Sequence, residues 1–256
     1  MIRKQWIALK TIAYGEIARF MRVWVQSLMP PVITIILYFL VFGHFIGPHL
    51  QNDYGVPYME FIVPGLVMMA IVMSSYNNTS FSFFMARFQR SIEEILVSPV
   101  DKNVLMLGFC IGGMARGLLT GLMVTLASFI FTHSVPKHIE IVLLSAILAS
   151  LFFSLAGFTN AIFSKRFDDI STIPTFVLTP LIYLGGVFYS ISQLPPAWQV
   201  ASYFNPIMYI VSIFRYGFLG IESTNFGYSV ITLVMFVVAL YSCNIYLLKK
   251  GVGIRT

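Results

Sequence analysis

Long apolar runs alternate with short charged ones along the chain. Runs free or nearly free of charge cover Val25–Ile46, Phe61–Phe83, Val104–Phe131, Ile139–Phe163, Ile170–Tyr189 and Phe226–Leu248. A helix needs about 20 apolar residues to cross about 30 Å of hydrocarbon, so each run predicts a spanning helix. One region resists that reading. Between Asp169 and Arg215 the sequence carries no charge, which is too long for one span. LPP at Leu194–Pro196 and NP at Asn205–Pro206 interrupt it, so two clean helices do not fit. The first long apolar run begins only near Val25, after Arg3, Lys4, Lys10, Arg19 and Arg22. That order does not match a cleaved signal peptide.

Basic residues choose among the topologies. They gather before Val25, in the Arg87–Lys102 loop, at Lys165–Arg166 and in the tail at Lys249, Lys250 and Arg255. The segments between hold only Lys137 and Arg215. Six spans with both ends cytoplasmic satisfy this pattern. A seventh would carry the basic tail outside. The stretch at about 191–218 is therefore expected to enter the outer leaflet and return, with Trp198, Tyr203, Tyr209 and Tyr216 at interfacial depth. Residues 1–24 read as an amphipathic interface helix. Trp6, Leu9, Ala13, Ile17, Phe20 and Trp24 share one stripe, opposite Lys4, Thr11, Arg19 and Arg22. The whole chain, 1–256, is then one transmembrane domain: this helix, six spans over 25–248, and a tail at 249–256.

Composition supports the class. Of 256 residues, 58% are hydrophobic and 10% charged, and the mean hydropathy is +0.84. Soluble domains carry about 25% charged residues. This is an all-α polytopic membrane protein, and its net charge of +6 is a topology signal before it is a sign of nucleic acid. Cys110 and Cys243 lie inside apolar runs, which favours packing over a disulfide. His44, His49, His133 and His138 sit at run ends or in short loops and form no metal motif. No G-x-x-x-x-G-K-[ST] phosphate loop and no catalytic triad pattern occurs, so enzyme chemistry is not expected here.

The most charged run is RFQRSIEEILVSPVDKN, Arg87 to Asn103. On a helical wheel Phe84, Phe88, Ile92 and Ile95 share one face. Arg87, Arg90, Glu94 and Ser98 share another, with Glu93 beside it, and Pro99 ends the helix. The pattern predicts one amphipathic cytoplasmic helix. It serves either as a docking surface for a cytoplasmic partner or as a solvated loop lying on lipid.

Two features fall inside spans. Gly113, Gly117 and Gly121 are spaced by four, a face suited to close helix approach within one chain or between copies. Arg116 lies midway along its span. Charge there costs at least about 2.5–3.5 kcal/mol, so it is expected to face a polar interior or to snorkel. Its candidate partners are Asn77, Asn78 and Asn160, and an anionic substrate is the sharper alternative. Arg116, Asn77 and Asn78 are thus a candidate translocation path.

The chain resembles an ABC-2 type transport permease. RSIEEILVSPV is similar to that family's coupling helix between spans two and three. PTFVLTPLIYLGGVFYSISQLPPAWQVASYFNPIMYIVSIFRYGFLG, Pro174–Gly220, resembles its C-terminal signature, and the likeness covers essentially the whole chain. The signature positions are Gly185, Gly186, Leu194, Pro195, Pro196, Asn205, Pro206 and Arg215. The resemblance implies a permease subunit of an exporter in a bacterial inner membrane, with two re-entrant helices before the last span. It implies a second copy of the chain, forming a homodimer among membrane lipids, and two cytoplasmic ATPase subunits. ATP and Mg would sit on those subunits, and none on this chain. Arg87, Arg90, Glu93, Glu94, Ser98 and Pro99 would meet the ATPase. The contrasting expectation is a membrane scaffold or channel with no ATPase partner.

Overall fold

The structure, a computed structural model, describes residues 2–46, 55–132, 135–222 and 224–252. His49, His133 and Arg255 lie outside them, as does the side chain of His44. Every regular element among the described residues is helical. In chain order these are α1 (Ile2–Arg22), α2 (Trp24–Tyr38), α3 (Tyr58–Phe88), α4 (Ser91–Val97), α5 (Lys102–Ser128) and α6 (Ile139–Phe163). There follow α7 (Phe167–Ile173), α8 (Thr179–Leu184), α9 (Pro196–Tyr203), α10 (Pro206–Leu219) and α11 (Phe226–Lys250).

Five helices are long and apolar enough to cross a membrane: Trp24–Phe42, α3, α5, α6 and α11. The run expected as a further span, Ile170–Tyr189, is instead composite. α7 and α8 are joined by a widened turn at Pro174–Leu178. Pro174 and Pro180 have no N–H to give, which disturbs the ordinary ladder. The Ile170 carbonyl, four residues before Pro174, receives the Asn160 amide at 3.2 Å, and the Thr179 N–H and hydroxyl both bond the Pro174 carbonyl, the latter at 2.9 Å.

The helix ends sort to two faces of the bundle. One face carries α4, the start of α5, the end of α6 and the end of α11. There Lys102 donates to the Lys249 carbonyl at 3.4 Å, and Tyr241 donates to Asn103 at 3.0 Å. The other face carries the start of α3, the start of α6 and the segment 185–225. There Tyr58 donates to the Phe188 carbonyl at 2.9 Å.

α3 is the buried centre, held between α5 and α6. Its inner half is polar, with Ser74, Ser75, Asn78, Thr79, Ser80 and Ser82 all buried. Small residues on the neighbours let backbones close on it. A side chain at Gly113 of α5 would strike Thr79 and Ser154, one at Gly117 would strike Ser75, and one at Gly121 would strike Ile71. On α6, Gly157 lies against the Tyr76 carbonyl. The four-residue glycine face is therefore spent on packing within the chain. Cys110 is buried on α5, whereas Cys243 is exposed on α11, which corrects the expectation that both are packed inside.

α1 lies lengthwise on the first half of α5. Gly108 faces Ile12 and Gly112 faces Glu16. Of the expected apolar stripe, Ala13 and Phe20 are buried while Trp6 and Trp24 are exposed. The face turned to α5 thus includes an acidic residue that the stripe did not reveal. The Glu16 carboxylate accepts from the Ser82 hydroxyl and, at 2.8 Å, from Arg19.

Overpacking a filled core position costs typically about 1–3 kcal/mol. Gly117→Leu is expected to cut the fraction of monodisperse protein surviving a heat step in detergent. Gly15→Leu, where nothing lies within 4 Å, is expected to leave it unchanged. Equal survival of the two variants would refute the α3–α5 contact.

Candidate functional site

The charged run forms two pieces, not the single amphipathic helix that the wheel suggests over residues 84–98. α3 ends at Phe88, and Arg90 takes a left-handed conformation with φ 60°. Such a conformation costs a non-glycine residue about 1–2 kcal/mol. The turn is closed by the Gln89 N–H on the Met85 carbonyl at 2.9 Å and the Arg90 N–H on the Arg87 carbonyl at 3.0 Å. Phe84 and Phe88 each meet Phe167 of α7 edge-on, with ring centres 5.1 Å away, and Phe84 shares one buried cluster with Ile92 under α4.

Arg87 turns inward. Its guanidinium donates to the carbonyls of Ala161, of Ile162 at 3.1 Å and of Ser164 at 3.4 Å. These are carbonyls at the end of α6, where the helix leaves acceptors unfilled. The structure thus separates Arg87 from the outward face of α4. That face presents Arg90, Glu93, Glu94, Val97, Ser98 and Pro99, all exposed. Val97 stands 89% exposed, an apolar side chain with nothing to cover it in one copy of this chain. Glu93 and Glu94 also sit in the first turn of α4, where a helix favours negative charge.

Gln5 of α1, which the sequence did not single out, clamps the end of this loop. Its side-chain amide donates to the Pro99 carbonyl at 2.8 Å and accepts from the Asp101 N–H at 2.9 Å. A lone glutamine at the start of an amphipathic helix carries no sequence signal for such a contact. Beyond α6, the Asp169 carboxylate takes the N–H groups of Lys165 at 2.8 Å and Arg166 at 2.9 Å. These bonds, with the Lys165 one foremost, hold its carboxyl below the usual range.

The signature segment occupies the opposite face. Its two proline breaks are helix starts. Pro196 opens α9 and Pro206 opens α10, as a residue lacking an N–H can at a first turn. Leu194 and Pro195 lead into α9. Asn205 caps α10 by accepting from the Ile207 N–H at 3.0 Å, and its amide donates to the Leu181 carbonyl at 2.6 Å. α10 is buried along most of its length, whereas Trp198, Tyr203 and Phe204 around α9 are exposed. The end of α10 returns to the start of α6, where the His138 N–H meets the Gly217 carbonyl at 2.9 Å. Gly185 ends α8, and Gly186, at φ 76°, turns its carbonyl to Arg215 at 2.7 Å. The buried Arg215 guanidinium also lies 4.0 Å from the centre of the Phe61 ring. Both ends of the α9–α10 segment thus lie on one face of the bundle.

Arg116 finds none of the three asparagines expected as partners. It donates instead to the Ser27 carbonyl in α2, at 2.9 Å. The reason is local to α2. Pro31 lies inside that helix and has no N–H, so the Ser27 carbonyl four residues earlier lacks its ladder donor. Asn160 is occupied with Ser80 at 3.1 Å and the Ile170 carbonyl at 3.2 Å. The Asn78 oxygen receives Arg19 at 3.4 Å. Arg116, Asn77 and Asn78 do share a cavity of about 330 Å³, and Arg19, Phe81 and Phe167 share it with them. Among the described residues no group of His, Cys, Asp and Glu converges as a metal site.

The profile of the ABC-2 type transporter family matches residues 7–219. The chain is similar to inner membrane transport permease YadH of Escherichia coli K12, 51% identical with both chains fully covered. It is also similar to nodulation protein J of Sinorhizobium fredii, 26% identical over 97% of this chain and 91% of the relative. A third relative is nodulation protein J of Rhizobium meliloti, 25% identical with the same coverage. A match that spans α1 to α10, and so both the charged run and the signature segment, places this chain in the ABC-2 type transporter family.

Proposed function

We propose that the chain is the permease subunit of an ATP-driven exporter in a bacterial inner membrane. Two copies form the path, and a cytoplasmic ATPase subunit docks on each. The observation that carries this is α4: a short helix with an outward acidic and apolar face, tied to the bundle at three points. Ile92 enters the core, Gln5 holds the following loop, and Arg87 joins the end of α3 to the end of α6. A load applied to α4 is passed to α1, α3 and α6 rather than absorbed by a loose loop. ATP and Mg belong to the partner, since the sequence contains no phosphate loop. The YadH name supports a transport role at the inner membrane. In this reading α7–α8 is the fifth of six spans, α9–α10 is re-entrant, and both termini are cytoplasmic. The basic residues at the α4 face of the bundle support that orientation.

The topology is checked with single cysteines on a background lacking Cys110 and Cys243. A cysteine at Lys137 is expected to react with an impermeant thiol reagent from outside. Cysteines at Lys102 and Lys165 are expected to stay unlabelled. External labelling at Lys165 would overturn the orientation.

The docking role separates from a structural one by magnitude. Glu94→Lys changes an exposed charge, which alters stability by less than about 0.5 kcal/mol. Removing a charge contact from an interface costs about 2–5 kcal/mol. Glu94→Lys is expected to insert and assemble normally while its affinity for the ATPase falls at least about tenfold. Arg87→Gln is expected to do the reverse. It loses hydrogen bonds worth about 1.5–3 kcal/mol each and so lowers the yield of folded protein. Full ATPase association and full transport in Glu94→Lys would sink the docking assignment and leave α4 a solvated loop helix lying on lipid.

A further inference from the structure

Arg19, Asn78 and Arg116 stand around one cavity between α1, α3, α5 and α7, and each carries a buried donor behind its wall. Arg19 Nε, Asn78 Nδ2 and Arg116 Nε are all buried and all lack a hydrogen-bond partner. All three are donors. The Asn78 orientation follows from its other end, whose oxygen accepts from Arg19. A buried donor without an acceptor is costly, and three around one cavity leave the same need unmet three times.

Charge points the same way. Arg19 is balanced by Glu16 at 2.8 Å. Arg116 bonds a neutral carbonyl, and among the described residues no carboxylate lies at ion-pair distance from it. The cavity therefore holds one uncompensated guanidinium in the midst of apolar helices. A negatively charged ligand supplies the missing counter-charge. Guanidinium groups bind phosphate and carboxylate with particularly favourable geometry. The cavity's other walls are mixed, with Asn77 and Ser171 beside the apolar Phe81, Phe167 and Ile170. Phe81 follows Asn77 by one helical turn, and Phe81 and Phe167 are each 46% exposed.

We infer that this cavity binds the oxyanion head of a phosphate-bearing amphiphile, with Arg116, Arg19 and Asn78 on the head and Phe81 and Phe167 beside the chain. The inference gives the exporter reading a substrate class and rests on it only for the step that follows binding. The site itself would exist in a permease with no ATPase.

The test uses the full chain in phosphatidylcholine nanodiscs, without ATPase, and measures labelled dodecyl phosphate retained above empty discs. Saturable retention is expected. Dodecyltrimethylammonium and dodecyl maltoside should be retained no better than by empty discs. Asn77 is exposed and lines the cavity, so Asn77→Asp adds a competing carboxylate without touching the Arg116–Ser27 contact. It is expected to weaken retention at least about tenfold with an unchanged unfolding temperature. Arg116→Lys should retain most binding and Arg116→Gln little. Should Arg116→Gln fail to fold, Asn77→Asp decides. Labelled inorganic phosphate alone identifies the source. Binding that Asn77→Asp abolishes would mean an oxyanion site filled from solution, while no binding means that the amphiphile's chain is needed. Equal retention of dodecyl phosphate by the native chain and Asn77→Asp, or none above empty discs, would overturn the inference. Neither result bears on ATPase docking, which is read separately at Glu94.

Discussion

The burial of α3 is the constraint on which the rest of the molecule depends. Helices in lipid gain little from the hydrophobic effect on meeting one another, so close packing and interhelical hydrogen bonds must bring them together. α3 offers a polar inner half, and α5 and α6 meet it with glycine and serine. The pairing excludes lipid from Ser75, Asn78, Thr79 and Ser82, none of which would be tolerated facing hydrocarbon alone. It also fixes which side of α5 remains for other elements. The glycines at 113, 117 and 121 are taken by α3, and those at 108 and 112 by α1. α1 is thereby held against the bundle by α5's second glycine face.

Proline then determines where the bundle must be patched. Inside a membrane every backbone carbonyl and N–H needs an internal partner, and proline removes one donor each time it occurs within a helix. Three of these patches differ in kind. At Pro206 the gap coincides with a helix start and Asn205 caps it. At Pro174 the open Ile170 carbonyl is met by the Asn160 amide of α6 at 3.2 Å. At Pro31 the open Ser27 carbonyl is met by Arg116 from another helix. That last patch brings a charge into the span and leaves part of it unsatisfied. A structural need in α2 is thus what places a guanidinium beside the cavity.

The spans of α3, α5, α6 and α11, and the breaks before α9 and α10, were legible in the sequence. Run length and proline are local signals, and the backbone obeys them locally. The turn at Arg90 was not legible, because nothing there resembles a breaker. An arginine takes the left-handed position, and the periodicity of Phe84, Phe88, Ile92 and Ile95 continues through it. The structure breaks the helix there, yet Phe84 and Ile92 still meet in one buried cluster, with Phe88 turned to Phe167. Arg116 was legible as a charge needing a partner, but its partner was not. The answer lay in a carbonyl exposed by a proline 85 residues away in sequence, which composition and spacing do not encode. Glu16 and Arg19 were hidden for a related reason. A helix read as lying on a membrane gives no cause to expect a half-buried ion pair. Only its lengthwise contact with α5 creates one.

The same contact joins the two candidate surfaces. Gln5 holds the loop after α4, and Arg19 reaches the cavity, both from α1. They are separated by about 21 Å of continuous helix at about 1.5 Å per residue. A helix of that length moves as a unit, so a displacement of the α4 loop that carries Gln5 also shifts Arg19 relative to Arg116, which is fixed on α5. The geometry of three converging donors is sensitive to such a shift, since hydrogen bonds weaken steeply with misalignment. Rigidity alone does not make the two sites communicate. Communication requires that an anion in the cavity and a subunit on α4 favour different settings of α1, by a difference in free energy that each contributes. Glu16 bonds both Ser82 and Arg19, and Gln5 bonds on both sides of Val100. These hydrogen bonds lie at the two places where a movement of α1 would be felt, while Ile12 against Gly108 and the buried Ala13 and Phe20 seat the helix between and beyond them.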